Sequence, residues 1–218
     1  TDADTDTDTD TDSDTDSDTD TDTGDTGSMM EEILNGEDDD GDGLVDEDFI
    51  AAHAVKITEF IANPVEVTDA EGEWFELRFD GWTEDSDLEL NLIGWTVSDD
   101  GSDSFVIEDD VWVGVGGYVV LGRNADEATN GGVTLDYEYG DAMAMANGAA
   151  GDEVQIAAGD LVVDRMWYGA YVEPDGFPRI AGASSGLEPT ASGDTDIPGD
   201  WCIQTSSYGD GSNLGTPG

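Results

Sequence analysis

The residues best suited to chemistry lie in one short run, Asp38-Asp-Asp-Gly-Asp-Gly-Leu-Val-Asp-Glu-Asp48. Counting Asp38 as the first position puts carboxylates at positions one, three, five and nine, on Asp38, Asp40, Asp42 and Asp46. Gly43 falls at the sixth position, where such a loop must turn sharply. Leu44 at the seventh would offer its backbone carbonyl, and Val45 at the eighth can tuck inward. A hard cation takes six to eight oxygens at about 2.3–2.6 Å, and alternate residues of a tight loop can aim carboxylates at one centre. The spacing therefore predicts a calcium loop like the front half of an EF-hand. Its back half departs from that pattern, because the twelfth position is Phe49 instead of a bidentate Glu. Asp48, Glu47 or water would have to complete the shell. The competing reading is a solvated acidic turn. Clustered carboxylates repel one another without a metal, so binding would order the segment.

Other reactive side chains are few. His53 is the sole histidine and Cys202 the sole cysteine. A histidine-based triad would need an oriented acid and a nucleophile around His53, and no second histidine is available to activate Cys202. Zinc is disfavoured by one His and one Cys. Both residues are expected to be structural. Carboxylates are so abundant that any glycosidase-like pair would match by chance. Two further acidic runs, Asp99-Asp-Gly-Ser-Asp103 and Glu108-Asp-Asp110, are candidates for a second cation site, with solvated turns as the default. Six tryptophans (Trp74, Trp82, Trp95, Trp112, Trp167, Trp201) are read mainly as core, with a sugar-stacking platform as the alternative.

The elements that must position these residues fall into three parts. Residues 1–28 are a low-complexity acidic tail, a Thr-Asp dipeptide repeat varied at Ala3, Ser13 and Ser17. Like charges without apolar side chains favour a solvated stalk, reaching about 75 Å over residues 1–22 at roughly 3.4 Å per residue. Its Thr and Ser offer acceptors for O-linked sugars. Residues 29–50 carry the calcium-type loop. Residues 51–218 alternate short apolar runs with Gly, Asp and Asn turns, from Val55-Lys-Ile-Thr-Glu-Phe-Ile-Ala62 to Leu161-Val-Val163 and Trp167. Seven or eight such strands predict an all-β fold, a β-sandwich. Beyond Gly169 the Gly- and Pro-rich chain is expected to form long loops, and residues 142–150 a short helical turn.

Net charge is −50, from 55 acids against 5 bases. Nucleic acid is excluded as a partner, since phosphate binding needs clustered Lys and Arg, and so are anionic lipid surfaces. Divalent cations, cationic surfaces and other copies bridged by cations remain as partners, beside the plain effect of charge on solubility. No run of about 18 apolar residues is present to span a membrane. No signal peptide is recognised, and a start at Thr1 leads us to expect a mature or trimmed product.

Two resemblances sharpen these expectations. Glu32-Ile-Leu-Asn-Gly-Glu-Asp-Asp-Asp-Gly-Asp-Gly-Leu-Val-Asp-Glu-Asp48 resembles a metal-binding repeat of bacterial surface proteins, similar in style to thrombospondin type 3 repeats. Those repeats commonly carry two cysteines, and the matching positions here are Leu34 and Gly41, so calcium would hold the loop alone. Ile57-Thr-Glu-Phe-Ile-Ala-Asn-Pro64, Gly72-Glu-Trp-Phe-Glu-Leu77, Leu92-Ile-Gly-Trp-Thr-Val-Ser-Asp-Asp100, Gly116-Gly-Tyr-Val-Val-Leu121 and Leu214-Gly-Thr-Pro-Gly218 together resemble the bacterial lamin-tail domain. That resemblance implies an immunoglobulin-like β-sandwich, an accessory module on exported proteins with no catalytic set to carry over. The Thr-Asp tail is similar to the stalks that follow the anchor of bacterial surface lipoproteins. The resulting expectation is a non-enzymatic extracellular or cell-surface structural or adhesive protein. It would be stabilised by calcium and use its sandwich for self-association or partner contact, in one version as a surface filament subunit. The alternative is a carbohydrate- or ligand-binding accessory module of a surface lipoprotein.

Overall fold

The computed structural model describes residues 37–45, 47–81, 88–148, 150–169, 177–189, 191, 195–209 and 211–218. The Thr-Asp tail, Asp46 and Trp82 lie outside the described residues.

Alternation of β-branched and aromatic residues with polar ones makes strands, and Gly, Asn and Asp close them off. The strands are β1 (Val55–Ile61), β2 (Trp74–Phe79), β3 (Glu89–Asn91), β4 (Thr96–Ser98), β5 (Ser104–Val106), β6 (Trp112–Gly114), β7 (Tyr118–Gly122), β8 (Tyr137–Glu138), β9 (Gly151–Ala158), β10 (Leu161–Gly169), β11 (Ser185–Leu187), β12 (Trp201–Ile203), β13 (Ser207–Tyr208) and β14 (Asn213–Leu214). One α-helical turn, α1 (Asp69–Gly72), precedes β2, and 3-10 turns lie at Glu47–Phe49, Gly140–Ala142 and Pro198–Asp200. A six-stranded sheet runs β12-β11-β1-β2-β7-β8 and a four-stranded sheet runs β10-β9-β4-β5. All their pairings are antiparallel except β7 with β8. The pairs β3-β6 and β13-β14 complete the set.

The fold is thus an all-β sandwich. One continuous core joins Ile57, Phe60, Phe75 and Leu77 of the first sheet to Val97, Val154, Ile156, Met166 and Tyr168 of the second, with Leu90 and Val113 from the β3-β6 pair. A smaller cluster of Ile61, Trp74, Val120 and Val133 is backed by Leu135 and Tyr208. Every residue of β1 is buried: Val55, Ile57 and Phe60 enter the main core, Ile61 the smaller cluster, and Glu59 lies under Ser184 and Thr216.

Two bulges set which side chains face the core. Ile57 and Phe60 both enter it, yet they are three residues apart, and strict alternation would put them on opposite faces. The register of β1 against β2 shifts between Ile57 and Glu59, which absorbs the odd residue. The same device acts in β10, where the register shifts between Val162 and Asp164, and both Val163 and Asp164 are buried.

The segment beyond Gly169 differs from the long loops expected there. Its Ser185–Leu187 and Trp201–Ile203 become the edge of the large sheet, and Ser207–Tyr208 pairs with Asn213–Leu214. Strands this short carry little alternation for a sequence pattern to register; pairing creates them, β11 on β1, β12 on β11 and β13 with β14. The expected run from Val133 to Tyr139 shrinks to β8, and the helical turn expected over 142–150 does not form among the described residues 143–148; a 3-10 turn lies before them at Gly140–Ala142.

The closing segment is tied down by two buried glutamates of the large sheet. Glu59 accepts hydrogen bonds from Ser184 Oγ at 2.6 Å, Thr216 N at 2.7 Å and Thr216 Oγ1 at 2.5 Å. Glu76 accepts from Thr58 Oγ1 at 2.6 Å and Gly218 N at 2.9 Å. Apart from Ser184, these residues fall in the runs quoted above for the resemblance, and the bonds they make here hold the closing segment on the sheet.

Candidate metal centre

The acidic loop is built by its own turns. Asp38 Oδ1 accepts the Gly41 N–H at 2.6 Å and its Oδ2 accepts the Gly43 N–H at 3.0 Å. Asp40 Oδ1 accepts Asp42 N–H at 3.0 Å and Asp42 Oδ1 accepts Leu44 N–H at 2.8 Å. Gly43 has φ +97°, so the expected sharp turn at the sixth position is present and suits glycine. These bonds turn three exposed carboxylates inward: ligand oxygens of Asp38, Asp40 and Asp42 lie within 4.8 Å of one another. Two oxygens across a calcium ion stand about 5 Å apart, given bonds of about 2.3–2.6 Å. Each oxygen has a second lone pair for a cation, and an all-carboxylate donor set suits a hard one.

The loop sits on the sandwich. Leu44 and Val45 are buried, and Leu44 and Ile50 belong to the main core. At the turn between β3 and β4, a Cβ on Gly94 would fall 2.4 Å from the Gly43 carbonyl oxygen and 2.7 Å from Leu44 Cδ2. Gly94 also has φ +81°. Only glycine meets both conditions, so this turn is the socket for the loop.

Of the six ligands expected from sequence, Asp38, Asp40 and Asp42 converge. Leu44 is held by its buried side chain. Asp48 is exposed on the following 3-10 turn and is outside the converging group, while Asp46 is outside the described residues. The candidate second cation site does not assemble among the described residues. Asp99 Oδ1 instead accepts the Gly101 and Asp103 N–H groups at 2.8 and 3.0 Å, capping the β4-β5 turn, and Asp110 accepts from Asn91 Nδ2.

His53 does have an acid that sequence reasoning missed. Its Nδ1 lies 3.1 Å from Asp164 Oδ1, on a backbone at φ +63°. Asp164 also accepts Ile57 N–H at 2.8 Å and Thr195 Oγ1 at 2.9 Å. Burial raises its carboxyl, against those hydrogen bonds, which lower it. The Thr195 hydroxyl bonds the acid and not the imidazole, so it is not placed as a nucleophile for His53. The signal for Asp164 in the sequence was the broken alternation at Val162-Val163, where the bulge turns the next residue inward. Cys202 is partly buried, and burial and the nearby Glu188 push its thiol up, away from thiolate.

A second acid is perturbed strongly. Burial pushes the Glu73 carboxyl up to about 7, although the Met145 N–H and Arg123 pull it down. Arg123 Nη1 donates to Glu73 at 3.2 Å and Nη2 to Asp141 at 2.7 Å. Among the tryptophans, Trp74, Trp95 and Trp201 are core residues, while Trp112 and Trp167 remain 45% and 48% exposed. No helix among the described residues is long and apolar enough to cross a membrane. Comparison with protein-family models, with curated proteins and with solved structures finds no match.

Proposed function

We propose that this chain is a non-enzymatic extracellular or cell-surface structural protein whose acidic loop binds calcium and whose sandwich makes contacts with partners or other copies. The observation that carries this reading is the convergence of Asp38, Asp40 and Asp42 on a loop locked to the core by Leu44 and Gly94. Metal there would stiffen the junction between the acidic tail and the sandwich. Extracellular calcium sites commonly have dissociation constants of about 10⁻⁴–10⁻³ M. At free calcium 100-fold above such a value the folded state gains about 2.7 kcal/mol. The immunoglobulin-like topology and the lamin-tail kinship belong to the same proposal. They are supported by the mainly antiparallel pairing of the two main sheets and by the hydrogen bonds of Thr216 to Glu59 and Gly218 to Glu76.

Calorimetric titration of calcium into the chelated protein tests the loop. Wild type should give a saturable heat that an Asp40→Ala, Asp42→Ala double variant lacks; equal heats from both would remove the assignment. Electron microscopy at millimolar calcium tests self-association, and particles that stay monomeric would remove the filament version.

A second reading, a carbohydrate-binding module, is supported by Trp167. Its ring lies against the backbone of Gly169, where a Cβ would come 2.2 Å from the indole, and it stays half exposed. Flat exposed indoles suit sugar stacking. Glycan-array binding abolished by Trp167→Ala would support this reading, and an array without signal would dismiss it.

A further inference from the structure

Five bases serve 55 acids in this chain, and four of them are matched to carboxylates. Lys56 and Arg78 pair with Asp80, Arg123 with Glu73 and Asp141, and Arg165 with Glu153 and Asp196. Arg179 makes no ion pair among the described residues. Its Nη1 and Nη2 donate to the carbonyls of Ala146 at 3.2 Å and Gly148 at 3.1 Å, and its guanidinium lies 4.9 Å from the centre of the Tyr168 ring. A guanidinium has five N–H donors, so two carbonyls leave Nη1 and Nη2 one N–H each to spare, while Nε is buried without a partner and closed to a ligand. Arg179 lines a cleft of about 120 Å³ together with Phe60, Asn63, Asn147, Ile180 and Ser185. Ile180 at the cleft, and Val65 against the adjoining Gly182, are apolar and each 56% exposed.

We infer that this cleft is a receptor for a single carboxylate group presented by a ligand that lies across Ile180 and Val65. The size excludes a whole sugar or nucleotide, which needs roughly 300 Å³ or more, and leaves room for one small polar group or a few waters. A guanidinium fork matches carboxylate geometry, and its stacking on Tyr168 fixes the plane before the ligand arrives. Phosphate shares the fork, but a dianion meets about twice the repulsion from a chain of charge −50. The carboxylate can come from a free acid or from an aspartate of the Thr-Asp repeat on another copy. The second source rests on the self-association reading above, and the first does not.

The test follows the Ile180 backbone amide resonance of the ¹⁵N-labelled full chain, and in wild type the Arg179 Nε–H resonance as well, by NMR at 0.15 M salt. Acetate, inorganic phosphate and a synthetic peptide of residues 1–22 are titrated separately. A saturable shift with the peptide, weakened at least tenfold by Arg179→Gln, supports the carboxylate receptor and the tail as its source. A saturable shift with acetate alone supports the receptor for free acids and overturns the tail as source. No saturable shift with acetate or peptide overturns the proposal, as does a phosphate response tighter than both. The wild-type resonance decides even if Arg179→Gln disturbs the Ala146 and Gly148 contacts, and Arg179→Lys, which keeps the charge but not the fork, should bind as weakly as Arg179→Gln. Calcium heats at the Asp38 loop are unaffected by any of these outcomes.

Discussion

At the scale of single residues, two positions carry sharp consequences. Gly94 combines a left-handed backbone with direct contact to Gly43 and Leu44. Gly94→Ala must therefore push the acidic loop off the sandwich or strain the β3-β4 turn, at a cost of about 1–3 kcal/mol. Thermal melts should show that loss, and calcium titration of the same variant should show weaker binding than wild type. Unchanged affinity would mean that the loop acts independently of its socket. Glu73 has the opposite kind of effect. Its folded-state carboxyl is raised from 4.5 to about 7, so the folded chain holds a proton that the unfolded chain has released. Stability from this group is complete below about pH 4.5 and is lost as pH rises through about 7. The loss amounts to roughly 3 kcal/mol at most, at about 1.4 kcal/mol per unit. Denaturant melts between pH 5 and 8 should fall in midpoint for wild type, and Glu73→Gln, which keeps an acceptor for Met145 N–H, should flatten that slope.

At the scale of elements, the closing segment is the part most dependent on a few hydrogen bonds. Thr216 gives Glu59 two of its three donors and Gly218 gives Glu76 one of its two. Removing residues 215–218 leaves both carboxylates buried and under-satisfied, and charged groups in that state cost several kcal/mol. Truncation at Leu214 should lower stability by about 2–5 kcal/mol and release protection from hydrogen exchange in β1 and β2 first. An unchanged exchange pattern would show that the segment only lies on the sheet. The bulge in β10 is similarly directional. It puts Asp164 where it can accept from Ile57 and Thr195 and reach His53.

At the scale of the whole molecule, charge governs. A net charge of −50 opposes compaction, and Glu76, Asp152 and Asp164 share the raised direction of Glu73, each chiefly through burial. Both effects have one sign: mild acid protonates these groups and relieves the repulsion. The melting temperature should therefore rise from pH 8 to about pH 5.5 and rise again with added salt, which screens charge over about 10 Å or less. A maximum near pH 8, or no response to salt, would show that burial of these carboxyls is offset by their partners.

Much of this architecture was legible in the residues themselves. Alternation over Trp74–Phe79 and Gly151–Ala158 declares strands locally, because side chains two apart share a face, and the Asp-x-Asp-x-Asp-Gly spacing declares a turn that gathers oxygens through its own N–H groups. These features depend on neighbours within a few residues. Ser185–Leu187 becomes a strand because β1 offers it an edge, and Trp201–Ile203 because Ser185–Leu187 then offers the next one. Asp164 finds His53 across 111 positions, and Arg179 reaches the carbonyls of Ala146 and Gly148 across more than thirty. Contacts between distant segments follow from bulges, register and packing, and a chain read one window at a time contains none of that geometry.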